Sequence, residues 1–592
     1  MGCKRAPAKW WVTINVSEWR IVLNQAVGFK IWGCGLLVVA VALCWPLHLF
    51  PMPNFIEELF VGLAVLALLA GLLWATPWFR LTPWLALWLV YGFLLVLNSA
   101  WHPASFVSGK VGYLLFWMVG FAALLIGSQV SWSDDVPALR LARILAGLAV
   151  LSAVMGVLRH YNLLWSGLGW LIPDVPSARM LGLVGHANFF AYVSLLGIFA
   201  LAWLFEARRI HIWWLLLFGL MLIYCIVCSG GRSVLLAWAA AAGMVLLTVH
   251  ITAAWRFLAT IVLGLLVYIA LRPLLGGVDE FLSRSLGVAL LDPALFDLAG
   301  RGLDSSGRVL EWRLAWQLFV ENWFMGVGVG NYAGAAFEKH VALGIASPPG
   351  LFLHSHNSIL QFLVELGLLG LFWLLLVLGL VARNIRFALS RRERLLPLAV
   401  LLALFVYGCF EFPLWMMHFF VLNLLLLEAL GKGGRMYELR LGRAIAAILA
   451  LVVVALSFVY VSYVERLYWS FKQYIVREKV DAAEYQFINA MSRDPLLEPY
   501  AYFIYLASFE ISPSTLDFEV SVLERLRSFR PTHQVLIRLA IVYALQGEAD
   551  KARKVVADMR TYYGRGYDEQ LRDEIGIALK GFPGKDVYFL LK

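Results

Sequence analysis

Thirteen apolar runs, each close to the length needed to cross a bilayer, limit this chain more than any other feature. They lie near residues 31–49, 56–75, 83–100, 111–130, 142–158, 183–205, 212–228, 234–249, 257–275, 357–382, 395–410, 413–430 and 443–464. A spanning helix needs about 20 predominantly apolar residues. Hydrocarbon offers backbone groups no water, so each run must satisfy its N–H and C=O groups internally, as a helix does. Composition agrees: 62% of the 592 residues are hydrophobic and 15% charged, where a soluble domain has about 45–50% and about 25%. The expected fold class is all-α, a polytopic helical membrane protein with the 13 spans just given.

The net charge of +10 has a membrane explanation and does not call for nucleic acid. Lys4, Arg5, Lys9, Arg20 and Lys30 precede the first run. Arg208 and Arg209 follow the sixth, Arg383, Arg386, Arg391, Arg392 and Arg394 the tenth, and Lys432, Arg435, Arg440 and Arg443 the twelfth. With an odd span count these all fall on one side, which the positive-inside rule makes cytoplasmic. The opposite loop Pro51 to Glu58 has no Lys or Arg and carries Glu57 and Glu58. The expected placement is a multi-pass membrane protein with the N-terminus cytoplasmic and the C-terminal region on the outer face. Met1 to Lys30 is too polar and too long for a cleavable signal peptide. Arg159, Arg179 and Arg232 land outside, where an isolated arginine is ordinarily a snorkelling or headgroup contact. The six cysteines give no disulfide framework. Cys225 and Cys228 have zinc-like spacing, but no second pair follows and the surroundings are apolar, so packing explains them better.

The expected organisation has four blocks: membrane helices over 1–276, a periplasmic loop over 277–356, further membrane helices over 357–464 and a hydrophilic periplasmic tail over 465–592. Within the loop, residues from Gly307 through Glu321 have helical spacing, with Ser305, Ser306 and Gly307 as the start signal. The string Gly326-Val327-Gly328-Val329-Gly330 has no preceding strand and no following Lys-Ser/Thr, so it reads as a tight turn rather than a phosphate loop. In the tail, His533 to Gly564 reads as two amphipathic helices around Gly547-Glu548. Its small and large residues (Leu539, Tyr543, Ala544, Gly547, Ala549, Ala552 and Val556) follow a tetratricopeptide-like, TPR-like pattern. Lys479 to Arg493 is a possible further unit. Such units bind proteins.

Chemistry is concentrated at the outer face. His354-Ser355-His356-Asn357 ends a polar segment, and Asn357, Gln361 and Glu365 recur on one face of the helix that follows. A polar stripe in a span must face protein or a wet cavity. A neutral imidazole there can take a hydroxyl proton near pH 7. Arg232 lies in the small-residue turn Ser229-Gly230-Gly231-Arg232-Ser233, where a guanidinium can fork onto a phosphate. His186 and Asn188 open the sixth run, Glu411 lies between the eleventh and twelfth, and Arg308 and Glu311 begin the loop helix. The set suits a polar head group bearing an anion. The sequence has no His-Glu-x-x-His, Gly-x-Ser-x-Gly, Walker or Asp-x-Asp motif, so ATP-driven, zinc or metal-dependent Asp-x-Asp chemistry has no support.

These residues carry a resemblance. His354-Ser355-His356-Asn357-Ser358-Ile359-Leu360-Gln361-Phe362-Leu363-Val364-Glu365-Leu366-Gly367 resembles the signature of the O-antigen ligase and O-antigen polymerase superfamily. Arg308-x-x-x-Trp312 with Gly326-x-Gly328 and Tyr332 resembles its outer loop. Glu411-Phe412-Pro413-Leu414-Trp415 and the tail resemble one branch, the bacterial protein O-oligosaccharyltransferases of the PglL type. The likeness runs from about Gly182 to the C-terminus.

The resemblance implies a bundle similar to the GT-C type and transfer of an oligosaccharide en bloc, without cofactor or metal. The donor is undecaprenyl pyrophosphate and the acceptor a Ser or Thr hydroxyl of a periplasmic, often pilin-like, protein. It maps the family's essential histidine onto His356 and its phosphate-binding arginine onto Arg232. It leaves Glu411 to hold an imidazole or a sugar hydroxyl, with Arg308 near the leaving group. Where this chain has His186-Ala187-Asn188 the family carries Gln-Arg-Asn, so only Asn188 carries over. The catalytic candidates are His356, Arg232 and Glu411. The substrate-binding candidates are His354, Asn357, Arg308, Glu311, His186, Asn188 and Gln361. Ligation to lipid A–core and polymerisation of O-antigen repeats remain open as alternatives with the same donor. So does a transporter of lipid-linked sugar, although transporters place polar residues near the bilayer midplane on repeated halves.

Overall fold

In a computed structural model the described residues are 16–45, 55–161 apart from 77, 163, 179–287, 307–347, 350–439, 441–476 and 482–592. Ser305, Ser306, the first half of the Pro51–Glu58 loop and the start of the Lys479–Arg493 segment lie outside them. Among the described residues the fold is helical apart from one two-stranded ribbon, in which Trp78–Leu81 pairs antiparallel with Arg435–Glu438. The ribbon ties two turns at one end of the bundle. Sequence reading does not anticipate it, because four-residue strands leave little periodic signal.

Among the described residues, eleven helices are long and apolar enough to cross a membrane. The two remaining runs form shorter helices, Leu395–Gly408 and Met417–Leu430. Their depth is nevertheless fixed by contacts with Ala187–Glu206, the most enclosed of the long helices. At one end Arg392 Nη2 lies 3.2 Å from Glu206 Oε1. At the other, Asn188 Nδ2 donates to Glu411 Oε1 at 2.6 Å. The segment from Arg392 to Glu411 therefore traverses the same layer as its neighbour, roughly 30 Å at 1.5 Å per residue. Met417–Leu430 returns, since Arg394 Nη1 donates to Ala429 O at 3.0 Å and to Gly431 O. Both are largely buried in the interior, with Phe405 exposed on the outer side of the first, which lets short and partly polar-ended helices complete the crossing.

One apolar core fills the membrane bundle. Close approach depends on glycine where bulky rings pack. A Cβ on Gly92 would lie 2.4 Å from the Trp117 ring, and one on Gly120 would lie 2.4 Å from Trp88. A second core lies in the tail, among helices Leu516–Phe529, His533–Gln546, Ala549–Tyr563 and Asp568–Leu579. The hairpin expected around Gly547 is present, with Gly547 left-handed at φ 89°. Phe106 of a bundle loop and Phe337 of the Tyr332–Leu343 helix insert into this core. Arg525 Nε reinforces the contact by donating to Ser105 O at 2.9 Å. The tail is thus packed onto the same end of the bundle as Glu411.

The glycine string is a turn, as its sequence predicts. Val327 N donates to Val364 O at 2.8 Å and Gly328 N to Glu365 O at 3.1 Å. Gly326 has φ 71°, and a Cβ there would lie 2.4 Å from the Glu365 carbonyl. Gly326→Ala should therefore destabilise the protein by at least about 2 kcal/mol, from left-handed strain plus a backbone clash. A thermal melt in detergent checks this. An unchanged melting temperature would contradict the packing described.

Candidate functional site

The expected tenth span, Asn357 to Ala382, is two helices. Ser358–Leu366 ends at Gly367, whose φ 58° and ψ −133° are open only to glycine, and Leu368–Leu389 then enters the membrane. The short first helix begins at Asn357, whose Oδ1 accepts from Ile359 N at 3.0 Å and Leu360 N at 3.1 Å. Asn357 is thus an N-cap, the usual use of asparagine at a helix start. Just before it His356 has φ 52°, one of three non-glycine residues with positive φ among the described residues. An L-residue with a bulky ring is rarely held this way, and such strain concentrates at functional sites.

The turn aims His356 at Glu411. Its Nδ1 is buried, makes no hydrogen bond, and lies 3.4 Å from Glu411 Oε2, at ion-pairing reach but long for an aligned hydrogen bond. The other carboxylate oxygen is enclosed by donors: Arg308 Nη2 and, at 2.6 Å, Asn188 Nδ2. Asn188 in turn accepts from Arg179 Nη2, and Arg179 Nε donates to Ser229 O. Glu411 is only 1% exposed, whereas the side chains of Arg308 and His356 are 26% and 20% exposed. Burial pushes the Glu411 carboxyl up, but His356 and Arg308 beside it outweigh that and hold it below the usual carboxylate range. His186 caps the Ala187–Glu206 helix through Nδ1 and stacks against Phe189, and burial pulls its pKa down.

Four of the expected residues (His356, Glu411, Arg308 and Asn188) therefore converge, with His186 adjoining them. His354 lies alongside, its ring 5.1 Å from Phe412 and 5.3 Å from Trp415. Burial, and after it His356 and Arg530, push its pKa down to about 3. Hence between pH 3 and 6.5 the unfolded chain binds a proton at this position that the folded chain excludes. This contribution to stability is full above about pH 6.5 and declines as pH falls toward 3. His354→Phe keeps the stacking and removes the titration, so its melting temperature should fall less than that of the wild type between pH 7 and pH 5. Parallel pH profiles would refute the assignment.

Three expected site residues are placed differently. Gln361 is buried, accepting from Ser355 N at 2.8 Å and donating to Glu365 Oε1 at 3.0 Å. Glu365 Oε2 accepts from Tyr113 OH at 2.7 Å, and Tyr113 OH accepts from Trp415 Nε1 at 3.1 Å. The polar stripe is thus a hydrogen-bonded seam that faces protein, one of the two surroundings its spacing left open, and it fixes the His354–His356 turn. Glu311 faces away from Glu411, accepting from Tyr332 OH at 2.6 Å and lying 3.1 Å from His340 Nε2. Arg232 stands at the N-cap of the Ser233–Thr252 helix. Its turn joins the cluster through Ser229, which Arg179 grips.

Arg179 is the residue that sequence reading passes over as a headgroup contact. Its available signal was a charge on the basic-poor side, a few positions before the Gly182–Gly185 break. Tyr113 and Asn98 gave no signal, because each is one polar residue in an apolar run. Asn98 Nδ2 donates to Met325 O at 2.7 Å and Asn98 Oδ1 accepts from Val329 N at 3.1 Å, holding the glycine turn. Among the described residues no three His, Cys, Asp or Glu side chains gather closely enough to hold a metal ion.

The arrangement joins an imidazole backed by a carboxylate to partly exposed cations, at the membrane end where the tail is packed. A carboxylate on Nδ1 leaves Nε2 as the proton acceptor, the division of labour in hydrolytic triads. No curated protein matches the chain. Residues 216–375 match the family described as O-antigen ligase. Residues 372–574 match the family described as virulence factor membrane-bound polymerase, C-terminal. The two matches adjoin at the Leu368–Leu389 helix, and together they support the O-antigen ligase and polymerase superfamily of membrane glycosyl-transferring enzymes for this chain.

Proposed function

We propose that the protein is a protein O-oligosaccharyltransferase of the PglL type. It moves an oligosaccharide en bloc from undecaprenyl pyrophosphate to a Ser or Thr hydroxyl of a periplasmic, pilin-like protein, at the outer face of a bacterial inner membrane. The observation that carries the reading is His356, held in a left-handed turn against Glu411, which is also held by Arg308 and Asn188. His356 Nε2 takes the proton of the acceptor hydroxyl. The hydroxyl oxygen bonds to the anomeric carbon, and the bond from that carbon to the pyrophosphate oxygen breaks. The electron pair leaves on undecaprenyl pyrophosphate. Arg308, with Arg179 and the Arg232 turn next to it, meets that negative charge. One such fixed donor is worth about 2.7–4 kcal/mol in a water-poor site. Glu411 orients His356 and stabilises the imidazolium that forms.

The outer orientation rests on charge: the end opposite Glu411 carries Arg208, Arg209, Arg391, Arg392, Arg394, Lys432 and Arg435. A protein acceptor draws support from the tail, whose helical hairpins are of the kind that bind proteins. The match of residues 372–574 to a polymerase family favours a second reading, in which the acceptor is another lipid-linked glycan. Expression in a strain lacking its own ligase separates the two. Glycan on a co-expressed pilin, read by intact mass, supports the proposal. Longer lipid-linked chains, or glycan on lipopolysaccharide, would replace it with polymerase or ligase activity.

A further inference from the structure

At the end of the bundle opposite Glu411 there is a cavity of about 480 Å³ lined by Asp135, Glu206, Arg208, Trp255, Arg256 and Arg392. We infer that it is a binding site for a phosphate-bearing anion, with the headgroup of an anionic phospholipid as its ligand.

Three guanidiniums face two carboxylates there, and one carboxylate is already committed. Glu206 pairs with Arg392 at 3.2 Å and accepts from Phe257 N at 2.9 Å. Arg392 keeps a buried Nε that makes no hydrogen bond. Arg256 has its charge over the Phe205 ring at 5.6 Å, and neither Arg256 nor Arg208 has a carboxylate partner among the described residues. The cavity also receives the N-terminal end of the Trp255–Leu271 helix, whose cap residue Ala254 supplies no side-chain hydrogen bond. Glu206 already takes the Phe257 N–H of this first turn, and the helix dipole at such an end favours a further anion. The walls are conformationally unusual as well. Arg208 at φ 55° and Ala253 at φ 53° are, with His356, the non-glycine residues of positive φ among those described, and both line this cavity. An arginine in a helix-terminating left-handed position, where glycine is the usual choice, aims a cation that glycine could not supply.

Depth selects the lipid. Trp213, Trp214 and Trp255 are exposed at this end, and exposed tryptophans mark the headgroup level of a bilayer. Basic pockets between helices at that level are suited to anionic headgroups.

Purified full-length protein in nanodiscs of phosphatidylcholine, with and without phosphatidylglycerol or cardiolipin, tests this by thermal melting and by native mass spectrometry of retained lipid. The wild type should be stabilised by the anionic lipids and retain them. The R208Q/R256Q protein should bind them about 100-fold more weakly, tenfold for each lost contact of about 1.4 kcal/mol. The single variants, each about tenfold weaker, keep the test open if the double variant fails to fold. Inorganic phosphate supplies a further arm. Stabilisation by phosphate equal to that by lipid would assign the site to a free anion of the same chemistry, and response to lipid alone assigns it to the headgroup. Equal stabilisation in pure phosphatidylcholine, or unchanged binding by the variants, would overturn the inference.

Discussion

Glu411→Gln is expected to abolish glycan transfer, by on the order of 10⁴-fold, and to destabilise the protein at the same time. The activity loss follows from the carboxylate's position 3.4 Å from His356 Nδ1. Removing the carboxylate that orients a catalytic imidazole costs about that factor in hydrolytic triads. The stability loss has a separate cause. Glu411 is the counter-charge of Arg308 and the acceptor for Asn188. Removing the buried charge leaves Arg308, itself partly exposed, without its counter-charge and Asn188 without its carboxylate acceptor, a loss of about 1–3 kcal/mol. The two effects separate in a double variant. Arg308→Met with Glu411→Gln removes both charges, so the melting temperature should recover part of the loss while transfer stays absent. A Glu411→Gln protein that transfers glycan at the wild-type rate would remove this residue from the mechanism.

His356→Ala is expected to lose 10²–10⁴-fold in transfer, the usual worth of a positioned general base, while still inserting in the membrane. The backbone offers a control that a purely structural role would not pass. At φ 52° alanine keeps the strain and glycine relieves it, so His356→Gly should be about 1 kcal/mol more stable than His356→Ala. Transfer should be lost equally in both. If activity instead followed stability across the pair, His356 would be a turn residue and not the base.

The membrane helices were legible in the sequence because length and apolarity dictate a spanning helix directly. The stop at Gly367 was not, since an apolar run continues unbroken from Leu366 through Leu368 and the break is made by one glycine's backbone. The polar stripe Asn357, Gln361 and Glu365 was visible by its spacing, but spacing does not tell a wet wall from a dry seam. That depended on Tyr113, Trp415 and Ser355, which come from distant or intervening segments. In the site, Glu411, His356, Arg308 and Asn188 were legible as polar groups on one face. Their mutual contact was not, because it joins positions 103 and 223 residues apart. Arg179 shows the same limit: what distinguishes it from a headgroup contact is its bond to Asn188, a fact of packing.

The central claim is that His356 and Glu411 catalyse glycan transfer at the membrane. The direct measurement is transfer by the purified protein in nanodiscs, with undecaprenyl-pyrophosphate-linked oligosaccharide and a Ser/Thr-bearing acceptor protein, and with no ion gradient or nucleotide. The account predicts an acceptor heavier by one whole oligosaccharide with the wild type, and an unmodified acceptor with His356→Ala at equal folded concentration. Equal modification by the two proteins would contradict it.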